Sequence, residues 1–343
     1  ILTIHGTGHG ITNITVTASD GSTLTASDVF QLDVNGAPVV AAGIADVNLD
    51  QGFVTTTINL AGAFSDPEND PLTYTAVSSN TGVVLVGISG SILTLTEISY
   101  GVSTVTVTAR DGSTLSVQDA FIVDVNGSPV VAAGISDINL DQGFGTTTIN
   151  LTGAFSDPES DPLSYTAVSG NSSVVTASVS GNILTLTEHG YGITNVVVTA
   201  SDGSTLTAQD IFRVDVNGAP VVDAGIADVS LDEGFGTRTV NLSGAFSDPE
   251  GDPLTYSAVS ANTGVVTVSI SGSILTITEV HYGITNVTVT ASDGSTLSVS
   301  DLFVVDVNGG PVVASPLADV NLDQTFGTHT INLTGAFSDP EGD

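Results

Sequence analysis

Apolar and polar residues alternate with a period of two along most of this chain. Between residues 38 and 125 the stretches PVVAAGIADVNL (from Pro38), TTTINLAGAF (from Thr55), LTYTAVS (from Leu72), GVVLVGIS (from Gly82), SILTLTEI (from Ser91), STVTVTA (from Ser103) and LSVQDAFIVDV (from Leu115) all show it. Such alternation marks extended strands with one buried face. Val, Ile and Thr fill the stretches and Gly, Asn, Asp and Pro separate them, so no helical spacing competes. Seven short strands in one compact unit predict an all-β, Greek-key sandwich.

The pattern then repeats. AFSDPENDPLTY from Ala63 returns as AFSDPESDPLSY from Ala154, as AFSDPEGDPLTY from Ala245 and as AFSDPEGD from Ala336, always 91 residues on. A fixed period without insertions means copies of one structural unit, and 91 residues suits one domain. The predicted organisation is a partial repeat over 1–34, complete repeats over 35–125, 126–216 and 217–307, and a partial repeat over 308–343. The chain contains no Met and opens in mid-repeat, and is expected to be an excerpt or processed product of a longer array. With strands lettered A to G, the unit reads as an immunoglobulin-like sandwich. Tyr100, Tyr191 and Tyr282 precede a Gly just before strand F, where a tyrosine hydroxyl is expected to bond back to the chain.

Charge changes the picture. Of 343 residues, 37 are Asp or Glu against three Arg and no Lys, a net charge of −34, yet 41% are hydrophobic. Such a surface repels nucleic acid and attracts cations, while the apolar share sets it apart from a disordered acidic tail. Cysteine is absent, so neither disulfides nor thiolate chemistry are available. The longest apolar stretches, such as PVVAAGIA, fall far short of the roughly 20 residues that cross a bilayer, and no membrane insertion is expected within the sequence.

Sandwich topology decides where the acids meet. The BC and FG loops lie at the pole where strand A begins, and the AB and EF loops lie at the opposite pole, where strand G exits. Between repeats runs only DVNGSP or its equivalent. At the junction of the first two complete repeats, Asp50 (AB loop), Glu97 (EF loop) and Asn126 (linker) should meet Asp157, Glu159 and Asp161 (BC loop) and Asp202 (FG loop). By the period, Asp141, Glu188 and Asn217 meet Asp248, Glu250, Asp252 and Asp293 at the next junction. Asp232, Glu279 and Asn308 face Asp339, Glu341 and Asp343 at the last, and Asn35 meets Asp66, Glu68, Asp70 and Asp111 at the first. There Gly6 stands where the EF-loop Glu belongs, which makes this the poorest set. At a few ångströms each like-charge pair costs on the order of 1 kcal/mol even in water. With no basic side chain at hand, divalent cations are the expected counter-charge, and an all-oxygen ligand set selects Ca²⁺. The alternative is a solvated turn, since Asp, Pro and Asn favour turns whatever their function.

An AB-loop acid, an EF-loop Glu, a short Asn-containing linker ending in Pro, an acidic BC pair and an A-x-D-G FG loop together resemble the cadherin repeat. FSDPEGDPLTY is closer still to the dystroglycan-type cadherin-like domains found in tandem in bacterial surface proteins. The resemblance implies calcium between successive domains, held by the residues just named, and a stiffened extracellular array. Its linker, NGAP or NGSP, carries fewer acids and amides than the cadherin linker, which implies fewer or weaker sites.

The repeats are not expected to be catalytic. Asp66 and Glu68 recur in every copy, whereas catalytic carboxylate pairs arise once, in a cleft, and the five His have no ligand spacing. The sequence reading is a non-catalytic stalk or filament on a bacterial cell surface, with neighbouring repeats and identical chains as partners. The alternative is carbohydrate or ice binding by flat Thr-rich faces.

Overall fold

The computed structural model describes residues 1–340 and 342. Each complete repeat is a two-sheet sandwich, and no helix occurs among the described residues. In the first, the strands are A (Val39–Val40), A′ (Val47–Asp50), B (Thr55–Asn59), B′ (Phe64–Ser65), C (Thr73–Ser78), D (Val84–Ser89), E (Ile92–Glu97), F (Gly101–Arg110) and G (Ser116–Asn126). One sheet runs A′-G-F-C and the other B-E-D, while A pairs with B′. The second and third complete repeats reproduce this order. An F–G hairpin, Gly10–Ser19 with Thr25–Val34, represents the first partial repeat.

Two predicted strands are broken. The A stretch is split at Ala41–Gly43, where Gly43 has a positive φ of 27° and the chain crosses from the B side to pair with G. The crossing is pinned by two aspartates: Asp119 Oδ2 accepts from Ile44 N at 2.6 Å, and Asp46 Oδ1 from Ile122 N at 2.7 Å. Asp210 and Asp137, then Asp301 and Asp228, repeat the arrangement. Strand B is interrupted where Asn59 Oδ1 caps Ala61 N and Gly62 turns the chain at φ 92°.

Alternation along the remaining strands delivers the core. Leu93 and Leu95 of E, Val105 and Val107 of F, and Phe121, Val123 and Val125 of G are buried between the sheets, each stabilising by about 1.5–3 kcal/mol relative to exposure. Tyr74 on C meets Phe64 at a ring distance of 5.8 Å.

Before strand F, Tyr100 and Tyr191 do not form the expected corner, whereas Tyr282 packs against the core of its own repeat. Tyr100 and Tyr191 are 43% and 48% exposed, and their rings lie against the linker glycines Gly127 and Gly218. Gly101 and Gly192, at φ 115° and 112°, turn the chain directly after them and send the rings towards the next repeat.

Candidate metal centre at the repeat junctions

Strand register builds each junction. A′ runs parallel to G, with Asp50 opposite Asn126, Asp141 opposite Asn217 and Asp232 opposite Asn308. One residue further, Gln51 N donates to Asn126 O at 2.9 Å, and Gln51 Oε1 accepts from Ser128 N at 3.3 Å. Gln142 holds the next linker in the same way, through Asn217 O and Ala219 N. The chain therefore leaves strand G clamped by the AB loop it has just passed.

The following repeat grips the same linker from the other side. Asn126 Nδ2 donates to Asp202 Oδ2 at 3.0 Å and Gly127 N to Glu159 Oε2 at 3.1 Å. Asn217 with Asp293 (2.9 Å) and Gly218 with Glu250 (3.0 Å) do likewise, as do Asn35 with Asp111 (2.8 Å) and Gly36 with Glu68 (3.0 Å). Across the gap, Thr205 Oγ1 of the FG loop donates to Asp50 Oδ2 at 2.9 Å, and Thr296 Oγ1 to Asp141 Oδ2 at 2.6 Å.

The BC loop supplies the unusual atom. Asp157 Oδ1 accepts from Glu159 N at 2.9 Å and Asp161 N at 3.1 Å, which folds the loop around its carboxylate. Asp66 and Asp248 do the same. In all three the other oxygen, Oδ2, is buried without a hydrogen-bond partner, and Asp66 is only 7% exposed. An unsatisfied buried polar atom costs about 1–3 kcal/mol, and more when charged. The loop acids also feel one another: partial desolvation, then the fields of Asp66, Asp111, Glu68 and Asp33, push Asp70 above the usual carboxylate range. Desolvation also raises Glu250, with Asp248 and Asp252 adding to it and the Gly218 amide opposing. Asp202 and Asp293 go the other way: desolvation is outweighed by hydrogen bonds from Ser204 and Asn126, and from Ser295 and Asn217. Asp111 is lowered chiefly by Ser113.

At the junction of the second and third complete repeats a cleft of about 380 Å³ has Asp141, Asn217, Glu250, Asp252 and Asp293 on its walls. Asp215 joins them, a residue the loop argument missed. It sits two positions before the linker Asn, on the outward side of strand G, and the recurring DVN phrase was its signal. Arg213 Nη2 binds it at 2.7 Å.

The EF-loop glutamates stand elsewhere. Glu97 accepts from Gly52 N (2.8 Å) and Val54 N (3.1 Å), Glu188 from Gly143 N and Gly145 N, and Glu279 from Gly234 N and Gly236 N. Each spends both oxygens on the AB loop of its own repeat, and these amides hold Glu279 below its ordinary pKa. At the first junction His9 replaces the tyrosine, and its Nδ1 meets Glu68 Oε1 at 2.6 Å. At the last, Glu233 N donates to Asn308 O at 2.8 Å and Asp339 Oδ1 accepts from Gly342 N at 3.2 Å, while Glu341 and Asp343 lie outside the described residues. Among the described residues no three His, Asp or Glu side chains stand close enough together to hold a metal ion as they are. The junction is a ring of carboxylates with space between them.

Comparison with known proteins agrees with this architecture. Residues 217–308 match the family model described as the bacterial Ig domain. A 139-residue segment, 38% of this chain, is 33% identical to Chitinase A of Pseudoalteromonas piscicida but spans only 16% of that protein's length. The titin I-band fragment I67–I69 superposes with a TM-score of 0.50 at 13% identity, covering 79% of this chain and 99% of the fragment. A protocadherin gammaB7 EC3-6 structure aligns at a TM-score of 0.39 and 19% identity, over 83% of this chain and 77% of its own. The chain is a tandem array of immunoglobulin-like sandwiches of about 90 residues each.

Proposed function

We propose that this array is a non-catalytic extracellular spacer or filament segment of a bacterial surface protein, stiffened by calcium at its junctions. The observation that carries the reading is the buried, unpartnered Oδ2 of Asp66, Asp157 and Asp248, each in the acidic BC loop that grips the linker through Glu68, Glu159 or Glu250. A cation satisfies such an oxygen where no N–H donor is present, and calcium accepts six to eight oxygen ligands in irregular geometry. At the junction of the first two complete repeats the fitting donors are Asp157, Glu159, Asp161, Asp50 and the side-chain carbonyl of Asn126, while both oxygens of Asp202 accept from Ser204 and Asn126. Glu97 and Glu188 do not fit, because their oxygens already bind backbone amides. Calcium would supply the counter-charge, while the chain's own hydrogen bonds set the register of the linker.

Stacked repeats give reach, and each interface that resists bending lengthens the rod. The test is calorimetric calcium titration of the full chain together with its melting temperature and maximum dimension in small-angle scattering, with calcium and with EDTA. Binding heat, a higher Tm and a longer particle in calcium are expected. No heat and unchanged dimensions would reject the reading.

A second reading, polysaccharide binding by the repeats, is favoured by the outer face of the C–F–G sheet. There Thr75 and Val77 stand opposite Thr108 and Thr106, with Arg110 opposite Thr73 at the end of the row. The similarity to Chitinase A points the same way, towards an accessory module of a longer enzyme. Retention of the chain on insoluble chitin would support it; elution with the void volume would discard it.

A further inference from the structure

Asn35–Gly36, Asn126–Gly127, Asn217–Gly218 and Asn308–Gly309 are the chain's Asn–Gly pairs, and all four lie in linkers at the same phase of the repeat. Asn–Gly is chemically the least durable dipeptide of a protein backbone, because glycine leaves its own nitrogen free to approach the preceding side chain. The structure shows why both residues are demanded here. Gly127 is buried, and a Cβ on it would stand 2.8 Å from Glu159 Oε2 and 3.0 Å from the ring of Tyr100; Gly36 and Gly218 are as tightly enclosed. Asn126 must donate to Asp202, which an aspartate cannot do.

We propose that these linker asparagines are latent deamidation sites, protected while the junction is closed, and that their conversion makes an opening permanent. In the reaction the Gly127 nitrogen attacks Cγ of Asn126. A C–N bond forms, the side-chain amide nitrogen leaves as ammonia with the proton lost from the Gly127 nitrogen, and water then opens the cyclic imide to aspartate or isoaspartate. The closed junction opposes the first step at three points. The Gly127 N–H is held by Glu159 Oε2, the departing amide is held by Asp202 Oδ2, and the Asn126 backbone is paired to Asp50 with its carbonyl bound by Gln51 N. Once the linker leaves these partners, nitrogen and Cγ are free to meet.

The product cannot return. An aspartate at this position places a second negative charge against Asp202, where a donor stood at 3.0 Å. An isoaspartate lengthens the backbone and shifts the linker out of register with Asp50. The array thereby records covalently each junction that has been pulled or thermally opened.

The test is peptide-mapping mass spectrometry of the full chain incubated at neutral pH in EDTA, so that the result is independent of calcium. Asn126 and Asn217 should convert slowly in the folded array and much faster in urea. Asp202→Ala should accelerate Asn126 about tenfold, the weight of one charge-assisted hydrogen bond in the opening equilibrium, and leave Asn217 at its wild-type rate as an internal reference. Thr205→Ala, a gentler change that removes the bond to Asp50, should accelerate Asn126 less but in the same direction. Equal rates in the folded and urea-unfolded chain, no acceleration in either variant, or equal acceleration at Asn217 would each overturn the proposal. Asn126→Asp should also broaden the scattering profile, and an unchanged profile would refute the permanence of opening.

Discussion

Two regions of the same repeat both rely on aspartate and treat it in opposite ways. At the A–A′ crossing, Asp119 and Asp46 reach backbone N–H groups at 2.6 and 2.7 Å and close a gap between segments far apart in sequence. At the BC-loop pole, Asp66 bonds two amides through Oδ1 and is left with a buried Oδ2 that has no hydrogen-bond partner. The difference teaches that acid count does not locate a cation site. On the proposed calcium reading, a cation is to be sought where backbone donors run out before carboxylate oxygens do.

The sharpest way to break this comparison is to neutralise one atom. Asp157→Asn should abolish the calcium-dependent rise in Tm at one junction, worth about 2.7 kcal/mol at a hundredfold excess over Kd, while stability in EDTA stays level or increases. Paired melting curves check this, and an undiminished calcium response would break the distinction between the two regions. At the other region, Asp210→Ala strands the amide of Ile135 and should cost about 1–3 kcal/mol in calcium and EDTA alike, measured by urea denaturation. A loss confined to calcium would make that aspartate a ligand after all.

A smaller effect concerns the loop that Glu97 clamps. Val54 takes φ 63° where the later repeats have Gly145 and Gly236 at 67° and 70°. A β-branched residue in that region stores about 1–3 kcal/mol, so Val54→Gly should stabilise the first complete repeat by about 1 kcal/mol once the greater freedom of the unfolded chain is allowed for. Denaturant midpoints report it.

The smallest expected effect is on pH dependence without calcium. Asp70 and Glu250 are raised, so the folded state binds their protons more tightly than the unfolded chain does, and stability grows as pH falls through their raised values. Asp111, Asp202 and Asp293 are lowered, so their contribution is present above the ordinary carboxylate range near 4 and is lost as pH falls through their folded values. In EDTA, Tm should rise slightly as pH falls from neutrality through the raised values of Asp70 and Glu250, and then fall once pH drops below the ordinary carboxylate range near 4. A steady decline from neutrality would remove the acid cluster from the account.

The meeting of the loops at each junction was legible in the sequence. Asn126, Asp202, Glu159 and Asp50 meet as loop positions in a sandwich require, because the 91-residue period leaves a linker too short for any other arrangement. Glu97 lies on the EF loop at the expected pole, but nothing local says that two AB-loop amides will bond to its oxygens. Asp215 was missed because it reads as an ordinary outward position of strand G, and only the joined repeats bring it to the cleft. Tyr100 and Tyr191 lie against the linker glycines of the next junction, a contact that only the joined repeats create.

What the residues determined alone is the sandwich and its repetition, since period-two alternation and turn chemistry act over a few neighbouring positions. Tertiary structure decided the fate of each carboxylate. Whether an oxygen finds an N–H donor depends on segments such as Asp119 and Ile44, 75 residues apart, and no local pattern encodes which of them arrives first.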